Sequence, residues 1–215
     1  RHSFPTRRSS DLAGMDPVVS YIGQVDPHGH EFRVQALCVA DELAGAAELV
    51  KGLKQVAPFE ISVAAYPETH PDADCADSDI DNLKRKLDAG ADQAITQFFF
   101  DNDHYFRYLD RVRKAGIDIE IVPGILPVQN FKAAANFARR TGADVPEWLA
   151  TRFEGLDDDV ETRRLVAAAV AVEQVYDLLD RGVSEFHFYT MNKADLVFAI
   201  CHMLGLRAAP AGIAA

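Results

Sequence analysis

An α/β fold with parallel strands joined by crossover helices is predicted by three features of this 215-residue sequence. Short, mostly apolar runs alternate four times with longer segments of helical periodicity. The apolar runs are closed by proline, glycine or polar loops, as strands buried on both faces are. Hydrophobic residues make up 48% of the chain, enough for a sizeable core. Two architectures fit this alternation, a doubly wound open sheet and a (β/α)8 barrel. No GxGxxG follows any strand, which weakens the dinucleotide-binding version of the first. Four βα units amount to half of the second.

The elements follow in order. AAELVKGLKQ reads as a helix with Leu49, Leu53 and Val56 on one face. FEISVAAYPE reads as a strand, and HPDADCADSD as a polar loop. SDIDNLKRKLDAG is a helix that begins near Asp77–Ser78 and stops at Gly90. DQAITQFFF is the next strand, and DNDHYFRYLDRVRKAG a helix with Tyr105, Leu109 and Val112 inward. IDIEIVPGILP is a strand broken at Pro123–Gly124, followed by the helix VQNFKAAANFARRTG with Phe131, Ala135 and Ala138 at core spacing. A short helix covers PEWLATRF. The long VETRRLVAAAVAVEQVYDLLDRG carries Leu165, Ala168, Val172, Val175 and Leu179 on one stripe. SEFHFYT is the last strand, and NKADLVFAICHMLG the last helix, with Asn192 as its N-cap.

The net charge is −11. Three arginines and one aspartate give residues 1–12 a charge of +2, leaving −13 for the rest, a surface that repels nucleic acid and anionic membranes. No apolar run approaches the ~20 residues of a membrane span. The cysteines, Cys38, Cys75 and Cys201, are odd in number and lack CxxC spacing, which points to reduced thiols in a cytoplasmic protein. RHSFPTRRSSDL lacks the apolar stretch of a secretory signal. Its composition allows a transit peptide, but FPTRRSSDL resembles a translated sequencing adaptor, so residues 1–12 are read as an artefactual or disordered segment. Residues 13–44 form an uncertain segment in which His28 and His30 lack a third metal ligand at sensible spacing, so a solvated loop is the expectation and no metal site is predicted.

In a barrel the chemistry lies at the C-terminal ends of the strands. Position alone selects Tyr66, Glu68 and His70 after the first clear strand, and Gln97 and Asp101 after the second. Gln129 and Asn130 follow the third, and Tyr189, Thr190, Asn192 and Lys193 the fourth. In SDIDNLKRKL, Ile80, Leu83 and Leu87 share one helical face while Asp79, Asn82 and Lys86 repeat that spacing on another, with Arg85 beside them. This second face is either a solvated surface or a grip for diphosphate and ribose. Gln97 is either a structural amide or a polar group aimed into the pocket. Phe137 falls off the core stripe of its helix, so it is placed to lie over the barrel mouth. His187 and Tyr189 alternate with Phe186 and Phe188, and the sequence leaves open which pair points inward. The Asp157–Asp159 run precedes a long helix and reads as N-terminal dipole compensation rather than a metal site. No nucleophile elbow is present.

The motifs ISVAAYPETHPDAD, DNLKRKLDAGADQAITQFFFD, IEIVPGILPVQNF, FEGLDDDVETR and FHFYTMNKADLVFAICHMLG resemble the bacterial 5,10-methylenetetrahydrofolate reductase family, from about Ala46 to Leu206. The resemblance implies a flavoprotein (β/α)8 TIM barrel that passes a hydride from NADH or NADPH to FAD and then to methylenetetrahydrofolate, in one-carbon metabolism and methionine synthesis. It implies FAD contacts at Tyr66, His70, Ala73, Asp79, Asn82, Arg85 and Lys86, substrate contacts at Gln97, Phe137 and Lys193, and a possible homo-oligomer. Lys193 stands where arginine is common, and Ala133 where some relatives carry a glutamine that touches folate. The family's catalytic glutamate on strand one and its Arg-Gly-Asp on strand four have no match, so no catalytic residue is assigned within this chain. Residues 45–207 are therefore expected to be the last four βα units of such a barrel, with 208–215 a tail. The alternative is a non-catalytic half-barrel that binds an intact subunit.

Overall fold

A computed structural model describes residues 45–71, 73 and 75–206. The adaptor-like segment 1–12, the segment 13–44 with His28, His30 and Cys38, and the tail 208–215 lie outside the described residues.

Strands and helices alternate as the patterning predicts. They run α1 (Gly45–Val56), β1 (Ser62–Ala65), α2 (Ala76–Asp88), β2 (Gln93–Thr96), α3 (Asn102–Lys114), β3 (Glu120–Val122), β4 (Gly124–Ile125), α4 (Phe131–Thr141), α5 (Glu147–Phe153), α6 (Val160–Asp180), β5 (His187–Phe188) and α7 (Ala194–Met203). The strands form a three-stranded sheet in the order β1-β2-β3 and a two-stranded parallel sheet of β4 and β5, in which Gly124 faces His187 and Ile125 faces Phe188. Pro123 divides what the sequence presents as one strand, because it has no N–H to give a ladder. Its carbonyl still accepts from His187 N at 3.0 Å. Among the described residues no helix is long and apolar enough to cross a membrane.

The chain divides into two compact units. The first holds the described residues of Arg1–Ala64 together with Asp81–Ala94, and the second holds Ala65–Ile80 and Ile95–Ala215 as far as they are described. In the first unit, Val50, Ile61, Val63, Leu83 and Ala94 are buried. Asp92 ties this unit together. Its Oδ2 accepts from Ile61 N at 2.7 Å and from Lys54 Nζ at 2.6 Å.

The second unit buries Phe98, Phe99, Tyr105, Tyr108, Val112, Ile125 and Leu149, with the Ala167–Val172 face of α6 packed among them. Its helices are capped by side chains the sequence supplies. Asp101 accepts from Asp103 N, Asn130 from Ala133 N, and Asp159 from Thr162 N. The α6 cap realises the dipole reading of the aspartate run, and its bond to Thr162 holds the Asp159 carboxyl below the usual range. Gly142 ends α4 at φ 73°, the left-handed geometry that favours glycine.

Several expected core positions are displaced. Val56, Leu165 and Leu179 are exposed, because α1 buries Ala46 and Val50 and α6 buries its alanine-rich face through Val175 and Leu178. In α3 Tyr108 rather than Leu109 is buried, and in α4 Ala134 and Ala138 are buried while Phe131 and Ala135 are half-buried. α7 starts one residue later than expected. Lys193 is its N-cap position and makes no side-chain cap bond, while Asn192 takes φ 61°.

Candidate functional site

The segment after β1 turns sharply before α2 begins. Thr69 sits at φ 72°, a costly conformation for a β-branched residue. The turn brings the Tyr66 and His70 rings edge to face, 4.5 Å apart. Asp79, in the first turn of α2, accepts from His70 N at 2.6 Å, and Ala73 N donates to His70 O at 2.9 Å. The predicted residues Tyr66, His70, Ala73 and Asp79 are thus joined within one unit. α3 supports the same segment with His104, Tyr108 and Arg111, spaced i, i+4, i+7. Arg111 Nη2 donates to Pro67 O at 3.2 Å, and the buried Tyr108 hydroxyl is raised by desolvation, then by the Asp79 charge. Sequence reasoning did not single out this α3 face; a polar residue repeating at helical spacing around a tyrosine was the available signal.

The polar face of α2 is buried rather than solvated. Asp79 is 7%, Asn82 3% and Lys86 5% exposed. Within the first unit Lys86 Nζ donates to Ala64 O at 2.9 Å, and Asn82 Oδ1 accepts from Arg85 Nη2 at 3.4 Å. A helix buries an ammonium and an amide only where polar partners meet them. A buried ammonium, a buried amide and an exposed guanidinium within one turn are a donor set that suits a diphosphate, so these residues fit a dinucleotide such as FAD.

In the second unit Gln97 stands at the end of β2, half-buried. Its N–H donates to Ala65 O at 2.7 Å, and its side-chain oxygen accepts from Phe98 N at 3.0 Å. The Phe137 ring lies 5.1 Å from that of the fully buried Phe98, so Phe137 caps the aromatic cluster at the end of β2. Tyr189, left open by the sequence, turns inward, and its hydroxyl donates to Thr96 O at 2.9 Å. Gly124 N donates to Thr96 Oγ1 at 2.8 Å. Desolvation raises the Tyr189 hydroxyl and lowers His187, so burial favours the neutral form of each. Asp101 and Asn130, selected by position, serve as caps, and Lys193 is exposed at the start of α7.

Residues 24–205 match the family model described as methylenetetrahydrofolate reductase. The chain belongs to the methylenetetrahydrofolate reductase family. A 5,10-methylenetetrahydrofolate reductase of Escherichia coli (strain K12) is 59% identical over 162 residues, covering 75% of this chain and 55% of the relative. One from Buchnera aphidicola subsp. Schizaphis graminum is 45% identical over 193 residues, covering 90% of this chain and 63% of the relative. Methylenetetrahydrofolate reductase (NADH) 1 of Arabidopsis thaliana is 34% identical over 216 residues, covering 95% of this chain and 35% of that protein. The chain spans about half the length of the Escherichia coli relative it matches. A solved structure of an uncharacterized Clostridium thermocellum protein, described as binding two copies of 5-methyl-5,6,7,8-tetrahydrofolic acid, shares the fold. Its TM-score is 0.50 at 16% identity, covering 74% of this chain and 59% of that one.

Proposed function

We propose that this chain carries the second half of a (β/α)8 barrel that reduces 5,10-methylenetetrahydrofolate to 5-methyltetrahydrofolate with NADH or NADPH. The observation that supports this most is the polar row of α2, Asp79, Asn82 and Lys86, which keeps a carboxylate, an amide and an ammonium buried on one face of the helix. On this reading the ligand of that row is FAD. Lys86 and Arg85 neutralise the FAD diphosphate, and Asn82 bonds ribose hydroxyls. Tyr66, His70 and Ala73 line the cofactor along the turn after β1. Asp79 contributes by shaping that turn, since its carboxylate already holds the His70 N–H. Bound there, FAD supplies a two-electron carrier between nicotinamide and folate.

Gln97 bonds the pterin from the end of β2, and Phe137 stacks on the substrate ring above Phe98. Lys193 attracts the folate carboxylates; it keeps the charge of an arginine but loses the planar fork. The 215 residues contain no match to the family's strand-one glutamate, so by themselves they are expected to bind FAD weakly and to turn nothing over.

The test is a flavin-fluorescence titration of the chain alone and of the chain co-expressed with the part of the Escherichia coli relative that precedes the matched region. Tight FAD binding only in the second sample, lost on Lys86→Met, is the expected result. No binding in either sample, or full binding by the Lys86→Met variant, refutes the reading.

A further inference from the structure

Glu68 is spent in an unexpected way. It lies on the turn between Tyr66 and His70, where a carboxylate would be well solvated if it faced outward, yet its side chain is only 10% exposed. Burial pushes its carboxyl above the ordinary range, so the inward position works against its charge. Two groups meet it there. Asp144 N donates to Glu68 Oε1 at 2.8 Å, and His104 Nε2 stands 3.5 Å from the same oxygen. Asp144 lies two residues beyond Gly142, the left-handed residue that ends α4, and Ala143 N is still bonded to Ala138 O. The same two segments touch again at Gly142. A Cβ there would lie 3.2 Å from Pro71 Cγ and 3.3 Å from Thr69 O. The turn is thus pressed against the end of α4 on both sides of the strained Thr69.

We propose that Glu68 is a positioning residue that latches the turn bearing Tyr66 and His70 onto the end of α4, the helix that bears Phe137. The latch sets the mutual position of the ring pair after β1 and of the aromatic on α4. Left-handed Thr69 is the point at which the turn would relax, since a threonine leaves that conformation readily when nothing holds its neighbours. Arg111 holds Pro67 and Asp79 holds the His70 N–H, while Glu68 fixes the turn between them against Asp144, so the His70 bond to Asp79 keeps its geometry only while Glu68 is in place. The functional weight of the latch rests on the reading of Tyr66 and His70 as cofactor contacts; the latch itself does not.

The test uses the full chain without ligand. Amide hydrogen exchange is read at Asp144 and His70, and nuclear Overhauser contacts are read between the Tyr66 and His70 rings, in wild type, Glu68→Ala and Glu68→Gln. In Glu68→Ala, exchange at both amides is expected to rise about tenfold or more and the ring contacts to fade, while α6 amides keep their protection. Glu68→Gln retains an acceptor oxygen, and its two amides are expected to stay within about threefold of wild type. If Glu68→Ala does not fold, Glu68→Met, which keeps the side-chain volume but offers no acceptor oxygen, takes its place, and the same rise in exchange at both amides is expected. If Glu68→Ala loosens Asp144 alone and leaves His70 and the ring contacts unchanged, the positioning role is overturned. If the latch behaves as stated but Tyr66→Ala leaves FAD affinity of the co-expressed form unchanged, the cofactor reading fails and the latch stands.

Discussion

Replacing Gly124 by alanine tests how β4 is fitted between β2 and β5. A Cβ at this position would lie 2.3 Å from Thr96 O and 2.5 Å from Tyr189 Cε2. Relief to even a tight 3.0 Å contact requires about 0.7 Å of movement against a backbone oxygen, which has no rotamer to escape into. Thr96 is fully buried, and its two oxygens hold the Gly124 N–H and the Tyr189 hydroxyl. Any shift that relieves the clash stretches those bonds. Overpacking of this kind costs about 1–3 kcal/mol, and each of the two buried hydrogen bonds lost adds about 1–2 kcal/mol, so the substitution should cost ~3–7 kcal/mol. That is a large share of the ~5–15 kcal/mol that holds a domain folded. Urea unfolding followed by circular dichroism reads it as a lowered midpoint at unchanged slope. Tyr189→Phe, which removes one bond and no volume, should cost only ~1–2 kcal/mol. A Gly124→Ala protein within ~0.5 kcal/mol of wild type would refute the close approach of the three segments.

Asp92→Ala should cost ~1–3 kcal/mol by leaving the buried Ile61 N–H without its acceptor, whereas Asp92→Asn should keep most of the stability; the two are compared by thermal unfolding. Thr69→Gly should be more stable than Thr69→Ala by ~1 kcal/mol, since only glycine takes φ 72° freely, and equal stabilities would argue against the left-handed turn. Two buried groups give pH slopes of opposite sign. The Glu68 carboxyl is raised, so its contribution is fully present below the ordinary carboxylate value of 4.5 and is lost as pH rises through its raised value. His187 is lowered by burial, so its contribution is present above the ordinary 6.5 and is lost as pH falls through its lowered value. Unfolding midpoints measured from about pH 4 to about pH 8 should show Glu68→Gln removing the first slope and His187→Asn the second.

Much of the architecture was legible because periodicity is local. Apolar runs closed by proline or by polar loops became β1, β2 and β5, and the helical spacings between them became α2, α3, α4 and α6 close to their expected limits. Caps were legible for the same reason: Asp159 reaches Thr162 within a single turn. Core membership was less legible. α6 and α7 are apolar around much of their circumference, so periodicity did not decide between Leu165 and Ala167, and the neighbouring elements did.

The sequence by itself determined the alternation of elements, the family, and the spacing that sets Asp79, Asn82 and Lys86 on one face of α2. Only the tertiary structure decided that this face is buried, because burial depends on what lies across from a helix and not on its own pattern. The break at Pro123–Gly124 was visible as a break. That Gly124 must be glycine was not, since the atoms that forbid a side chain there come from Thr96 and Tyr189, 28 residues before it and 65 after. Glu68 was visible as a candidate by its place after a strand. Its inward turn toward Asp144 and His104 depends on contacts 76 and 36 residues away, which no local pattern encodes.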